Sequence, residues 1–441
     1  MASPTVTRPV DAVTCLTVFV FLLLAIESRY VIGPLGGAGA PAQVVAVGAF
    51  GWWVCHQLQR PHAPPPALQP VRFALIAFAL TLLVSYAFAM SRPIDGAESS
   101  TATLGMISLA GWMGVALLAH DGITNRGRLD QIVRRLVIGA ALIGLLGVAQ
   151  FFAQDALIRG FTIPGLRANL PLSDLATRSG FARPAATALH PIEFGAILTT
   201  VLPLAVATLR DSASDRKLIP ALSLMAISLG IIVSGSRSAL LCAVIGLLVL
   251  VATWSVRARI AVGIAMVALT AVVAMIIPGM IGSLTGLFTG FGQDGSVKSR
   301  TDSYVLVGEF VERAPWFGRG FSTFLPSYRI LDNQYLLLVI EVGSVGLAAF
   351  LILLGTAFVV SWRNGRSAIR SADRNLSQAL AGAVAAAALG LGTYDGLSFP
   401  TATGVLFLVL GITGALRRLV RENDLEHAAS DPVPHVRTAP S

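Results

Sequence analysis

The sequence is short of charge. Asp, Glu, Lys and Arg make up 12% of its 441 residues, where a soluble chain of that length carries about a quarter. It is also short of lysine, which stands only at Lys217 and Lys298, so nearly every cation is an arginine. Its three cysteines, Cys15, Cys55 and Cys242, lie inside apolar runs with no C-x-x-C spacing. That excludes a disulfide framework or a thiolate metal site, and leaves them as small hydrophobes in helix contacts. A small-residue cleavage site is missing after the apolar stretch 12–32, and further apolar runs follow, so that stretch reads as a first span rather than a leader.

What is abundant is hydrophobe: 55% of the chain, with a mean hydropathy of +0.75. Runs near 20 apolar residues recur along its length, the signature of a polytopic membrane protein. We read an all-α bundle of about 12 transmembrane helices, near 12–32, 41–57, 72–91, 101–119, 134–153, 189–209, 218–234, 238–254, 259–281, 335–361, 377–394 and 399–416. The segments are then 1–153 with spans 1–5, an external loop 154–188, spans 6–9 over 189–281, a large external loop 283–334, spans 10–12 over 335–416, and a disordered tail 417–441. External loops this long usually carry function. The net charge of +9 resembles a nucleic-acid signal until it is mapped. Most of it sits in alternate short connections, for example Arg126, Arg128, Arg134 and Arg135, or Arg363, Arg366, Arg370 and Arg374. The positive-inside rule places those in the cytoplasm with both termini, and no nucleic-acid partner is expected.

One arginine breaks the pattern. Arg237 stands in "LGIIVSGSRSALL", beside Ser234, Gly235 and Ser236. The 37 residues from Leu218 to Trp254 are fewer than the roughly 40 needed for two full crossings. The "SGSR" turn is therefore expected below the outer surface, where irregular backbone survives only against protein or a wet cavity. Arg237 reads either as a turn arginine snorkelling to the interface or as an anion ligand, with the Ser236 hydroxyl and glycine-freed amides as further donors.

Other outward charges read in the same two ways. Lys298 and Arg300 in "SVKSRTDSY" are a solvated run or further anion ligands before a helix start. In "SGFARPAATALHPIEFG", Arg183, His190 and Glu193 sit at the outer end of the sixth span, where Pro191 and Glu193 also suit a helix N-terminus. Asp332 and Asn333 precede the tenth span, as helix caps or, for Asp332, as a general base. Glu341, two turns into that helix, and Asp395 in "GTYDGLSFP" are carboxylates that either pair or act.

Together the stretches "RPAATALHPIEFG", "SGSRSALL", "SRTDSYVLVGEFVERAPWFGRGFSTF", "LDNQYLLLVIEVGSVGL" and "YDGLSFPTATG" resemble the O-antigen ligase and O-antigen polymerase family of bacterial envelope enzymes. The resemblance covers most of 180–405; the first five spans carry no recognisable motif. It implies a GT-C-related helical fold and an inverting, metal-independent glycosyltransferase with no cofactor. The donor would be a glycan on an undecaprenyl-diphosphate carrier at the outer face of the plasma membrane, and the acceptor a lipid or saccharide. By resemblance, Arg237 and Arg300 bind the diphosphate. Where the ligases commonly carry a histidine base, just before the asparagine that ends the large loop, this chain has Asp332. Chain-length or export proteins are expected neighbours. The competing class is a flippase of lipid-linked glycans, which should show charges through the membrane depth and internal repeats. An enzyme using polyprenyl-monophosphate sugars ranks lower, because the first outer loop is short and holds Glu27 as its only acid.

Overall fold

The computed structural model describes residues 11–59, 69–158, 163–170, 176–178, 181–276 and 306–430. Lys298 and Arg300, with most of the large external loop, lie outside the described residues. Twelve helices correspond to the twelve apolar runs: α1 Ala12–Ala25, α2 Pro41–Gln59, α3 Pro70–Met90, α4 Gly96–Gly122, α5 Arg126–Ala153, α6 Pro191–Asp211, α7 Leu218–Val233, α8 Arg237–Val251, α9 Val256–Ile276, α10 Gln334–Ser367, α11 Ser371–Leu391 and α12 Pro400–Ser430. A further helical stretch covers 306–313. Six of these, α3, α4, α5, α6, α10 and α12, are long and apolar enough to cross a membrane. A seventh is reached if α2 is joined to the bent 3-10 segment Gly33–Gly39 before it. Helices α1, α7 and α8 are apolar but shorter. The chain is thus a multi-pass membrane protein, and six or seven of the twelve expected crossings meet the length criterion on their own.

Three expectations are corrected. The architecture is not purely helical: Tyr30–Ile32 pairs antiparallel with Leu166–Ala168, and Ala176–Arg178 with Phe181–Arg183. The first ribbon joins the α1–α2 connection to the external loop 154–188 and the second lies within that loop, neither of which hydropathy alone can reveal. Helix α1 stops at Ala25 rather than at 32. The segment placed in a disordered tail, 417–441, stays helical to Ser430, and at its start Arg417 and Arg418 dock on Asn364 and on the carbonyls of His120 and Ile123.

Helix α12 is the axis of the bundle. Of its apolar window 89% is buried, against 39% for α3, and it packs against α4, α11, α10 and α6. Close helix approach rests on small residues, as between lipid-embedded helices generally. Gly246 of α8 meets Gly382 of α11, where a Cβ on the latter would come within 2.5 Å of the Gly246 carbonyl.

Helix α10 is broken at Gly343, with φ 68° and ψ −172°. A continuous helix would bond the amides of Ser344 and Val345 to the carbonyls of Ile340 and Glu341. Instead, Ser344 N–H donates to Pro315 O at 2.9 Å and Val345 N–H to Trp316 O at 3.2 Å. The released carbonyls accept from Arg319 N–H at 3.0 Å and Gly320 N–H at 2.8 Å, and Ser85 Oγ adds a bond to Glu341 O. The segment 315–320 therefore satisfies every group that the kink frees, which is the condition for irregular backbone inside a membrane protein. The buried Glu341 carboxylate completes the seam by accepting from Phe324 N–H at 3.2 Å.

This seam predicts a sharp contrast within one helix. At Gly343 a Cβ would lie 2.3 Å from the Trp316 carbonyl and in a left-handed conformation, whereas at Gly355 it would meet nothing within 4 Å. Gly343→Ala should lower the thermal midpoint and the monodisperse yield in detergent, by an amount corresponding to roughly 1–3 kcal/mol. Gly355→Ala should leave both unchanged or slightly raised. Equal behaviour of the two variants would contradict the seam.

Candidate functional site

The irregular junctions at the ends of α6, α7, α10 and α11 gather at one end of the bundle. Helix α7 closes in the turn Ser234–Gly235–Ser236, with Gly235 at φ 58°. Ser236 N-caps α8, its hydroxyl accepting from Ala239 N–H at 3.3 Å, and Arg237 is the first residue of that helix, half-buried. Arg183, from the second ribbon, lies across this turn. Its Nε donates to Ser234 O at 3.2 Å, and its side chain covers the open face of Gly235. The Arg183 guanidinium thus lies on a glycine-containing turn whose next residue, Arg237, opens α8, and a basic group at a helix N-terminus favours an anion.

His190 N-caps α6, with Nδ1 accepting from Ile192 N–H at 3.2 Å. An accepting Nδ1 makes the neutral ring the Nε2–H tautomer, a donor rather than a base. Burial, followed by the positive charge of Arg183, pushes the His190 pKa down, while Asp332 opposes that shift. Arg183, His190 and Asp332 therefore share one electrostatic neighbourhood. Glu193, one turn on, is fully buried. Its carboxylate accepts from Leu189 N–H at 2.7 Å and from Thr401 N–H at 2.8 Å and Ala402 N–H at 3.3 Å. It caps α6 and α12 together, which accounts for its burial without any chemistry.

Asn333 is the N-cap of α10, its side chain accepting from Tyr335 N–H and Leu336 N–H. Asp332, immediately before it, makes no such cap and is half-buried. The chain entering α10 is tied to the chain leaving α11: Gln334 N–H donates to Tyr394 O at 3.2 Å, and Leu397 N–H to Gln334 Oε1 at 2.8 Å. That pairing brings Asp395 beside Asp332. Burial and then the Asp332 charge push the Asp395 carboxyl up to about 6, partly offset by hydrogen bonds to Ser398 and to its own backbone.

Asp395 also lines a cavity of about 440 Å³, within the range of small-ligand pockets. The cavity is lined by residues of the α1–α2 connection, of the external loop 154–188 and of the end of the large loop. Asn169, Arg329, Glu27 and Glu341 contribute polar groups, and Trp112, stacked on Phe407 at 5.1 Å, gives an apolar wall. Glu27 is ion-paired with Arg29, both buried. Sequence reading set Glu27 aside as the lone acid of a short loop and missed Asn169 and Arg329; only the Tyr30–Ala168 ribbon register brings the two loops together. It also missed buried Glu98, which takes Arg319, Arg92 and the Tyr328 hydroxyl (2.6 Å) onto one carboxylate and fixes the loop over the cavity. The available signal was the arginine of "FGRGF", whose partner lies more than two hundred residues away.

Residues 222–351 match the family model described as O-antigen ligase. Over that segment the chain is similar to the O-antigen ligase family. The match takes in Ser236, Arg237, Asp332, Asn333 and Glu341, while Arg183, His190, Glu193 and Asp395 lie outside it. It supports an enzymatic role of the ligase or polymerase type in general. A comparison with curated proteins found no match.

The Asp395 shift has a consequence for stability. An acid whose folded pKa is raised holds its proton more tightly when folded, so its contribution is present at low pH and lost as pH rises through the folded value. The thermal midpoint of the protein should gain a component on going from pH 7.5 to pH 5, and Asp395→Asn should remove that component. A variant with the same pH slope as the wild type would show that Asp395 does not titrate near 6.

Proposed function

We propose that this end of the bundle transfers a glycan from an undecaprenyl-diphosphate carrier to a hydroxyl of a lipid or saccharide acceptor, at the outer face of the plasma membrane. The observation that carries the reading is the convergence of Arg183 and the α7–α8 turn with His190, Asp332 and Asp395 beside a cavity. Helices α7 and α8, of 16 and 15 residues, are about 23 Å long. That is short of a core about 30 Å thick, which supports a turn sunk below the outer boundary. The arginine-rich connections at the opposite end support the positive-inside assignment, with both termini cytoplasmic across twelve passes.

In the proposed reaction, Arg183, Arg237 and the α8 N-terminus hold the diphosphate, with Arg300 and Lys298 as further ligands by resemblance. The acceptor hydroxyl oxygen attacks the anomeric carbon from the face opposite the diphosphate. The bond from that carbon to the diphosphate oxygen breaks, its electron pair stays on the diphosphate, and configuration inverts. The hydroxyl proton passes to Asp332. The guanidiniums neutralise charge that grows on the leaving group, a preorganised electrostatic role that needs no metal or other cofactor. His190, donating from Nε2, orients acceptor or carboxylate, and Asn333 sets the start of α10. Glu193 and Glu341 are positioning residues. Polymerase and ligase chemistry share this step and differ in the acceptor that the cavity admits.

The test is release of undecaprenyl diphosphate, with a glycan of raised mass, from purified protein given a carrier-linked oligosaccharide and a membrane glycan extract. Arg237→Ala should lower the rate roughly 10²–10³-fold with folding intact, and Asp332→Asn should abolish transfer while retaining donor. Chelators should have no effect. Full activity in folded Arg237→Ala sinks the proposal. So does movement of the lipid-linked glycan between leaflets without carrier release, which would make the anion site a transporter's.

A further inference from the structure

A second concave site lies at the opposite, arginine-rich end, and the proposed transfer does not use it. A cleft of about 460 Å³ is bounded by α10, the start of α3 at Pro70 and the end of α12. Along α10 it is lined by Ile352, Gly355, Thr356 and Val359. Ile352 is 61% exposed and Val359 43%. The missing side chain of Gly355 keeps the middle of the groove open. At its end stand Arg363 and Arg417. Arg417 is half-buried and held by Nη1 donating to Oδ1 of buried Asn364 at 2.7 Å. The exposed Arg363 makes no side-chain hydrogen bond or ion pair among the described residues.

An apolar groove that ends in two guanidiniums has the polarity of a single amphiphile. From Ile352 to Arg363 the helix rises about 16 Å, the scale of one acyl chain lying along it. The surrounding charge selects the headgroup. Arg366, Arg370, Arg374 and Arg421 lie on the same end, and two of its acids are taken up by other arginines: Asp373 pairs with Arg126 and Glu422 with Arg418. A zwitterionic headgroup would bring its own cation into this field, whereas an anionic one would not. Guanidiniums bind phosphate oxygens in a fixed, bidentate geometry. We infer that this cleft binds an anionic glycerophospholipid, its phosphate held by Arg363 and Arg417 and one acyl chain laid over Gly355.

Native mass spectrometry of the full chain, released from detergent with defined lipids, tests this without any transfer assay. The probes are phosphatidylglycerol, phosphatidylcholine and inorganic phosphate. The wild type should retain phosphatidylglycerol in clear preference to phosphatidylcholine. Arg363→Gln should weaken that retention roughly fivefold. Gly355→Leu, which fills the groove where there is room for a side chain, should also reduce it while leaving the charge in place. Equal retention of the two lipids overturns the inference, as does unchanged phosphatidylglycerol retention in both variants. Displacement of the lipid by equimolar inorganic phosphate would reduce the site to an anion site and overturn the claim for a lipid.

Discussion

Every backbone amide and carbonyl that leaves a regular helix inside this bundle must find a partner in the protein, because lipid offers none. The chain breaks its helices at one end and meets that condition in three ways. The α10 kink at Gly343 is sealed by the backbone of 315–320. The N-termini of α6 and α12 share one buried carboxylate, Glu193. The α7–α8 turn is closed by serine hydroxyls and by Arg183 on the Ser234 carbonyl. These repairs hold polar groups at fixed positions inside an otherwise apolar bundle, and the candidate site is assembled from their margins.

The site divides into two neighbouring parts with different electrostatics. On one side Arg183 and Arg237 flank a helix N-terminus. On the other, Asp395 lines the cavity and feels the charge of Asp332. Arg183 and Asp332 act on His190 with opposite sign, so the imidazole feels both the basic and the acidic side. The proposed transfer has a leaving group that gains negative charge and a hydroxyl that loses a proton, and these call for environments of opposite sign.

Most of the helical framework was legible in the sequence because apolar run length is a direct physical requirement of a membrane span. Each of the twelve runs contains a helix among the described residues. What hydropathy could not supply was pairing between distant loops. The ribbon of Tyr30–Ile32 with Leu166–Ala168 and the Arg319–Glu98 pair depend on partners far apart in sequence, with no periodic signal. The kink at Gly343 was also hidden, since "EVGSV" reads as uninterrupted helix. At the site, Arg183, His190, Ser236, Asp332 and Asp395 could be picked out as polar residues at helix ends, and the structure brings them to one region. Sequence alone left open which carboxylates cap and which remain to react. Glu193 is fully used as a cap, and Asn333 rather than Asp332 caps α10. For Lys298 and Arg300, outside the described residues, only the resemblance speaks.

The claim on which the account turns is the location of the anion. The most direct test is a cryo-electron microscopy structure of the protein in a lipid nanodisc with undecaprenyl diphosphate bound. The account predicts diphosphate density against the Ser234–Gly235–Ser236 turn, within hydrogen-bond reach of both Arg183 and Arg237, with the isoprenoid leaving laterally into lipid. Diphosphate bound elsewhere, with that turn contacting only protein, would contradict it and return Arg237 to the status of an interfacial turn residue.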